Sequence, residues 1–427
     1  MPWLARIGIA CVLAALPVYG ALADTQPTAF AYPIDNPFLA TIVGTPPAAK
    51  APLPPAPRFR TRRLPRLPDR AIPPAFWYAD RLAYSYALQP MPAPLMFVIA
   101  GTGGYHDGGT NRLLMQVFHA AGYHVVGMSS PTHPEFIVST STTGAPGHLE
   151  NDARDLLSAM QRIRQRLPRR AQITGHALAG SSLGATNAAF IARLDASENR
   201  LGFDHVLLAN PSVSLYNSIS RLDRMLWNIP GGIDNFDRFF RRVVSQIGGI
   251  YTRSTSVEFT PELVFSAFAA EQPRDEELAA VIGVAFRIAA ANMIFTADSM
   301  TNFGFIKPSQ QRVTRRDSLR NYLPVALRLG FTDYFHEFFW PLHADSFEGD
   351  RSDFARAQSL AHIADYLRAA DHVAVFHALD DIILADGEIE FLRETFGERA
   401  FIYPLGGHLG NLGVGAVRDD MLRFVGR

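Results

Sequence analysis

The sequence predicts an α/β protein built on a doubly wound, mostly parallel sheet, with a helical block inserted after the sixth strand. From about residue 76, short apolar runs of strand type alternate with amphipathic helical segments. Several of these runs are continuously apolar, as expected of parallel strands buried on both faces. The alternation stops after residue 210, where a Phe-rich helical stretch begins, and it resumes near residue 371.

The composition indicates a folded protein with no general affinity for nucleic acid. The chain has 427 residues, of which 48% are hydrophobic and 19% charged, enough to bury a large core. Its 40 basic residues balance 40 acidic ones, so no overall field attracts a polyanion. No nucleic-acid partner is therefore expected.

The N-terminus has the pattern of an export signal. Residues 1–23 combine one cation, Arg6, with an apolar run and a small-residue "ALA" motif, which predicts cleavage before Asp24 and a periplasmic or secreted protein. An uncleaved membrane anchor is the main alternative, and lipid attachment at Cys11 is less favoured. Cleavage would remove the only cysteine, so the mature chain would form no disulfide. No later apolar run of transmembrane length is expected, which predicts a soluble protein.

Residues 24–75 form a proline-rich segment, interpreted as a linker or as a strap over the surface. Six arginines lie between Arg58 and Arg70. A solvated basic linker is the favoured interpretation of these arginines. Contact with anionic lipid or glycan, including peripheral membrane contact, is the alternative.

The α/β core is predicted in two parts, residues 76–210 and 371–427, separated by a helical cap over residues 211–370. Apolar runs and helical periodicity define its elements. Predicted strands are RLAYSYAL (81–88), PLMFVIAG (94–101), YHVVGM (123–128), DHVLLAN (204–210), HVAVFHAL (372–379) and AFIYPL (400–405). Predicted helices are 111–122, 149–167, 387–397 and 414–425, the second with Leu149, Leu156, Leu157, Met160 and Ile163 on one face.

Residues 180–184, GSSLG, fit the GxSxG pattern of a nucleophile elbow. In such a strand-to-helix turn, side chains two residues before and after the serine would collide, and Gly180 and Gly184 avoid this. The spacing makes Ser182 the candidate nucleophile, whereas Ser181 lacks a glycine two residues before it. A tight turn without chemistry is the alternative.

A serine nucleophile needs a histidine base and a carboxylate that orients the histidine. His408 lies in a glycine-rich turn after the last predicted strand and is the best placed of the 13 histidines. Asp380 and Asp381 end an earlier strand, as the order Ser, Asp, His requires. The earlier strand end at Asn210 offers no acid, which argues against an acid placed before these two. Asp381 is favoured as the acid, with Asp380 as a loop-capping residue, and Asp380 as the acid is the alternative. A histidine satisfied within its loop is the alternative for His408.

Two backbone N–H groups are expected to stabilise an oxyanion. One belongs to Leu183, where a helix begins, and the other to Thr102 in the loop AGTGGYHDGG. That loop fits neither GxGxxG nor the Walker pattern, so no nucleotide cofactor is expected. His336 and His343 lack the spacing of a helical zinc pair, which favours aromatic packing in the cap over a metal site.

Taken together, the AGTGG loop, the GSSLG elbow, the LDDIIL acid turn and the GGHLG histidine turn resemble the α/β-hydrolase superfamily over roughly residues 76–427. The resemblance implies that the helical insertion is a cap or lid. The roles it implies are nucleophile for Ser182, acid for Asp381, base for His408, and oxyanion donation for Thr102 and Leu183. Two positions depart from the pattern: Ala100 replaces the histidine of an HG pair, and Ser181 occupies a place often held by a bulkier residue.

The function predicted on this basis is an exported serine hydrolase that cleaves carboxylic esters through an acyl-enzyme intermediate without a cofactor. The Phe-rich insertion favours acyl or lipid-like esters as substrates. A peptidase or amidase and a perhydrolase are alternatives that would use the same triad. A non-catalytic binding protein on the same fold is an alternative of a different class.

Overall fold

The computed structural model describes residues 29–426 except 170, 228, 230, 233–234, 240, 243–273, 312 and 318–321. The predicted export signal, residues 1–23, lies outside the described residues together with Cys11. Part of the predicted helical insertion also lies outside them.

One sheet of eight strands runs through the molecule in the order β1-β2-β4-β3-β5-β6-β7-β8. The pairs β1–β2 and β2–β4 are antiparallel, whereas all pairs from β4 across to β8 are parallel. The prediction of a mostly parallel sheet is confirmed. The strands are β1 Arg60–Pro65, β2 Arg81–Ala87, β3 Ala93–Ile99, β4 His124–Met128, β5 Ile173–Ser181, β6 Phe203–Ala209, β7 Val373–Ala378 and β8 Ala400–Tyr403.

Helices accompany this sheet and build the insertion between β6 and β7. The α-helices are α1 Pro37–Val43, α2 Gly109–Ala120, α3 Pro134–Ser139, α4 Leu149–Arg164, α5 Leu183–Glu198, α6 Leu215–Arg224, α7 Asp275–Thr301, α8 Leu323–Ala326, α9 Phe331–Asp333, α10 Trp340–His343, α11 Arg351–Ala357, α12 Ala364–Ala369, α13 Glu388–Phe396 and α14 Gly415–Val425. A π-helical turn, Tyr334–Phe339, joins α9 to α10. Short 3₁₀ turns lie at Pro47–Ala49, Pro74–Ala79, Ala344–Ser346, Leu360–Ile363 and Gly397–Arg399.

Both faces of the sheet are covered, which makes it doubly wound. Along β3, Leu95 and Phe97 point to the core shared with α4 and α5, whereas Met96 and Val98 point to the core shared with α2 and α14. Side chains alternate in this way because successive residues of a strand face opposite sides. The two cores fix the strand ends, and the candidate site lies at those ends.

The proline-rich N-terminal segment contains regular structure that its composition conceals. Asn36 caps α1 by accepting the N–H of Leu39, and Pro37 occupies the first turn, where no N–H partner is needed. Further along, β1 pairs with β2 as an edge strand and buries only Leu64. The segment is thus packed onto the α/β core at two places.

The insertion has its own aromatic core. Tyr334, Phe335, Phe338, Phe339 and Phe354 pack with the apolar face of α7. Two buried carboxylates accept hydrogen bonds from the backbone of its loops. Asp298 accepts four backbone N–H groups from residues 304–307, and Asp223 accepts two from residues 331–332. These hydrogen bonds anchor the loops on either side of the cap helices.

Helix α7 corrects the expectation that no later segment has transmembrane length and apolarity. Residues Asp275–Thr301 are long and apolar enough to cross a membrane by length and composition, with a mean hydropathy of 2.0 in the most apolar window. Alanines and large aliphatic residues interrupted by few charges produce this value. In the structure, 56% of that window is buried against the protein, as in the core helix of a cap.

Candidate active site

The turn between β5 and α5 holds Ser182 in a strained conformation. Its backbone has φ 53° and ψ −128°, a combination that non-glycine residues rarely adopt. A Cβ on Gly180 would lie 2.2 Å from the carbonyl oxygen of Gly184, and one on Gly184 would lie 2.4 Å from the carbonyl oxygen of Ile99. The glycines therefore permit a close approach that any side chain would block, as the GxSxG spacing predicts.

Three side chains from distant parts of the chain form a continuous hydrogen-bonded row. Ser182 Oγ lies 2.9 Å from His408 Nε2. His408 Nδ1 lies 2.9 Å from Asp381 Oδ2 and 3.2 Å from Oδ1. The network is satisfied when Nδ1 carries the proton, so that His408 donates to Asp381 and Ser182 donates to Nε2. All three residues are buried.

The surroundings of Asp381 favour its charged form. Burial raises the pKa of this carboxyl, but electrostatic interactions with His408 and His377 and hydrogen bonds from His408 and Ile383 outweigh burial, and the net pKa lies below its usual value. Asn210 Nδ2 donates to Oδ2 over 2.8 Å, and the N–H of Ile383 donates to Oδ1 over 3.0 Å. Asp381 is therefore ionised at neutral pH and held in one orientation.

The neighbouring Asp380 does not contact His408 and instead supports its turn. Its carboxylate accepts the N–H groups of Gly406, over 3.2 Å, and Gly407, over 2.8 Å. The structure thus brings Asp381 to the histidine and Asp380 to the loop backbone, the arrangement that the sequence analysis favoured.

The N-terminal helix α1 also holds the histidine turn. The N–H of His408 donates to Thr41 Oγ1 over 2.9 Å, and Thr41 Oγ1 in turn donates to the carbonyl of Pro37. Thr45 makes a second bridge, donating to the carbonyl of Gly410 and accepting the N–H of Gly413. A segment more than 360 residues away in sequence therefore fixes the position of His408.

The two expected oxyanion donors flank Ser182. Leu183 is the first residue of α5, so its N–H has no acceptor within the helix. The loop after β3 approaches so closely that a Cβ on Gly101 would lie 3.0 Å from Ser182 Cβ. Thr102 follows Gly101 and lines the same cavity as Leu183. The geometry leaves both backbone positions beside the serine.

Hydroxyl groups after β4 fix this loop. The N–H of Gly103 donates to Thr132 Oγ1 over 2.7 Å, and Thr132 Oγ1 lies 2.9 Å from Ser130 Oγ. The N–H of His106, further along the loop, donates to Ser129. The His106 ring is 2.8 Å from Ser85 Oγ, and burial lowers its pKa to about 4, so it is neutral. These contacts hold Thr102 in place without touching the serine.

A narrow apolar cavity of about 50 Å³ is lined by Thr102 and by Leu183, the residue that follows the serine. The cap supplies most of the remaining wall through Leu215, Tyr216, Ile219, Leu222, Met293, Phe331, Tyr334, Phe335 and Phe339. This volume holds only a few water molecules. An acyl chain would therefore have to displace cap side chains.

The two cap histidines lie in aromatic surroundings. His336 Nε2 is 2.9 Å from the hydroxyl of Tyr216, and the His343 ring stacks on Phe354 with centroids 5.4 Å apart. Burial lowers the pKa of His343 to about 4, with nearby His148 adding to the effect. Among the described residues, no group of three or more acidic, histidine or cysteine side chains could hold a metal ion.

Sequence reasoning missed several residues that support the site. Thr41 and Thr45 lie in a segment where proline suggested extended chain, and their partners are remote in sequence. Thr132 and the Ser85–His106 contact carry no recognisable motif. The one available signal was the position of Thr132 just after a strand, where polar residues meet at the carboxyl edge of a parallel sheet.

In comparisons with known proteins, this chain is similar in fold to several solved structures. No protein-family model and no curated protein matches the chain. Solved structures align over most of it. An esterase from Pyrococcus furiosus has 9% identity and a TM-score of 0.41, with 87% of this chain and 92% of that chain covered. A membrane phospholipase A described as a bacterial virulence factor has 13% identity and a TM-score of 0.42, with coverages of 91% and 88%.

A haloalkane dehalogenase from Bradyrhizobium elkani has 11% identity and a TM-score of 0.41, with coverages of 86% and 98%. What the site can do chemically follows from the strand order and from the contacts of Ser182, His408 and Asp381.

Substitution of Gly184 by alanine tests the steric basis of the elbow. The added Cβ would meet two backbone carbonyls of the β3 end, so Gly184→Ala should lower the free energy of unfolding by about 3 kcal/mol. Urea denaturation measures this. Gly109→Ala is the matched control, because nothing lies within 4 Å of its added Cβ in the first turn of α2, and it should be as stable as wild type. Equal stability of the two variants would contradict the account.

Removal of the Thr41 hydroxyl tests the hold on the histidine turn. Thr41→Val leaves the N–H of His408 without its acceptor, so the rate of Ser182 modification by a fluorophosphonate should fall about fivefold. Thr41→Ser keeps the hydroxyl and should restore the rate. A valine variant that reacts as fast as the serine variant would show that α1 does not position the base.

Proposed function

Because the chain has the α/β-hydrolase fold with a serine, a histidine and an aspartate in hydrogen-bond contact, we propose that it is a serine hydrolase that cleaves carboxylic esters. The observation that carries the proposal is the row from Ser182 Oγ through His408 to Asp381, with spacings of 2.9 Å at both steps. A chance cluster would not also place a helix N-terminus and a glycine-rich loop beside the hydroxyl.

The first half of the reaction follows from these positions. Ser182 Oγ attacks the carbonyl carbon of the ester while His408 Nε2 takes the hydroxyl proton. Ionised Asp381 stabilises the imidazolium that forms. The N–H groups of Leu183 and Thr102 bind the oxyanion of the tetrahedral intermediate. His408 then protonates the leaving alcohol, and the acyl group stays on Ser182.

The second half repeats the same roles with water as nucleophile. His408 takes a proton from water, hydroxide attacks the acyl carbon, and the oxyanion again lies at Leu183 and Thr102. Collapse of this intermediate breaks the bond to Ser182 and returns the proton from His408 to its oxygen. The carboxylic acid leaves and the resting enzyme is restored.

The cavity favours an apolar acyl group. Its walls are mostly aliphatic and aromatic, and the side chains there that carry a polar group are Thr102, Thr132, Tyr216, Tyr334 and Gln358. We therefore favour acyl or lipid-like esters over peptides, whose backbone would need hydrogen-bond partners in that wall. We also propose that the chain is exported, because residues 1–23 have the sequence pattern of a secretory signal.

Modification with a fluorophosphonate tests the nucleophile. The wild-type chain should be labelled and should hydrolyse short aryl esters, whereas Ser182→Ala should lose labelling and at least about 10⁴-fold of kcat. Ser181→Ala is the control, since Ser181 belongs to β5 and should leave labelling intact. Labelling that persists in Ser182→Ala, or a wild type inert towards every ester, would overturn the proposal and favour a binding protein.

Enlargement of the cavity tests the acyl site. Ile219 lines the cavity and is only partly buried, so Ile219→Ala should raise kcat/KM for long acyl chains relative to short ones, by about fivefold or more. Leu342→Ala removes an exposed cap side chain outside the cavity and should leave the chain-length profile unchanged. Identical profiles for both variants would place the acyl group elsewhere.

A further inference from the structure

Strand β1 is the edge of the sheet, and it carries a strip of exposed cations. Arg60 and Arg62 are exposed, with Arg66 just beyond the strand. Arg62 donates to the backbone carbonyl of Arg166, two residues beyond α4, and its guanidinium lies over the ring of Tyr86, 5.5 Å from the centroid. Arg166 adds a fourth exposed guanidinium. These four arginines are called the basic strip below. None of them forms an ion pair within the described part of the chain.

An exposed aromatic pair borders the same edge. Trp77 and Tyr78 expose 55% and 50% of their surface. The sheet register connects the pair to β1, since Arg81, three residues after Tyr78, pairs with Pro65 at the end of β1, next to Arg66. On its other side, Trp77 lies under the guanidinium of Arg315, 5.1 Å from the ring centroid.

Arginines on an edge strand need no partner by themselves, because charge at an edge also prevents pairing with another sheet. That explanation does not cover a tryptophan and a tyrosine left half exposed beside them. Trp and Tyr are the residues that prefer the boundary between lipid headgroups and hydrocarbon, and arginines beside them attract anionic headgroups. An anionic bilayer would bind the exposed aromatic pair and the exposed arginines together.

We propose that the β1 edge, through the basic strip and the Trp77–Tyr78 pair, docks onto an anionic lipid bilayer. Phe76, in the same 3₁₀ turn as the pair, packs against Phe295 of α7 with centroids 5.9 Å apart. Two residues earlier, Met293 of α7 lines the cavity beside Ser182. A docked bilayer would thus lie next to the cap helix that covers the site.

Vesicle binding tests this surface apart from ester cleavage. The exported Ser182→Ala chain, with its N-terminus defined by mass spectrometry, is sedimented with vesicles of phosphatidylcholine alone and with added phosphatidylglycerol. We expect binding that requires phosphatidylglycerol and weakens with salt. Arg62→Gln and Arg66→Gln should each lower affinity about fivefold. Trp77→Ala should lower it at high salt as well.

The controls are an arginine and a tryptophan elsewhere on the surface. Arg356, with 72% of its side chain exposed, and Trp227, 67% exposed, should be replaceable by glutamine and alanine without effect. Thermal midpoints of all variants verify folding. Binding that is absent, or equal for strip and control variants, would overturn the proposal. So would preferred binding to a sulfated glycan, or self-association through this edge.

Discussion

The close approach of the β5–α5 turn to the end of β3 is the constraint on which the site depends. Carbonyl oxygens occupy the places where Cβ atoms of residues 180 and 184 would lie. The chain can make this turn only with glycine there, and the turn then pushes Ser182 out of the strand at φ 53°. The same contact sets the first turn of α5 and the loop carrying Thr102 against the serine hydroxyl.

The position of His408 depends on contacts that other segments make with its glycine-rich turn. The residues before His408, Gly406 and Gly407, both have positive φ, so the turn has little intrinsic preference for one conformation. Asp380 holds it from the β7 side, and Thr41 of α1 holds it from the N-terminal side. The proline-rich segment thus contributes to the positioning of His408, although it contains none of the three residues of the hydrogen-bonded row.

The sequence predicted those features that local patterns encode. Buried strands, the amphipathic face of α4 and the glycine spacing around Ser182 are each readable within about twenty residues, and the fold agrees with them. The contacts of Thr41, Thr132 and β1 join segments far apart in sequence, so no window contains both partners. Helix α7 was not predicted as one long apolar helix because its apolar residues are spread around the helix and define no single face. Its partners come from the aromatic core of the cap.

The central claim is that Ser182 becomes acylated during ester cleavage. The most direct measurement is mass spectrometry of the chain quenched in acid during turnover of a p-nitrophenyl ester, followed by peptide mapping. The account predicts one added acyl group on the peptide that contains residues 181 and 182, with fragmentation assigning it to Ser182. Turnover without any adduct, or an adduct on Ser181 or another residue, would contradict it.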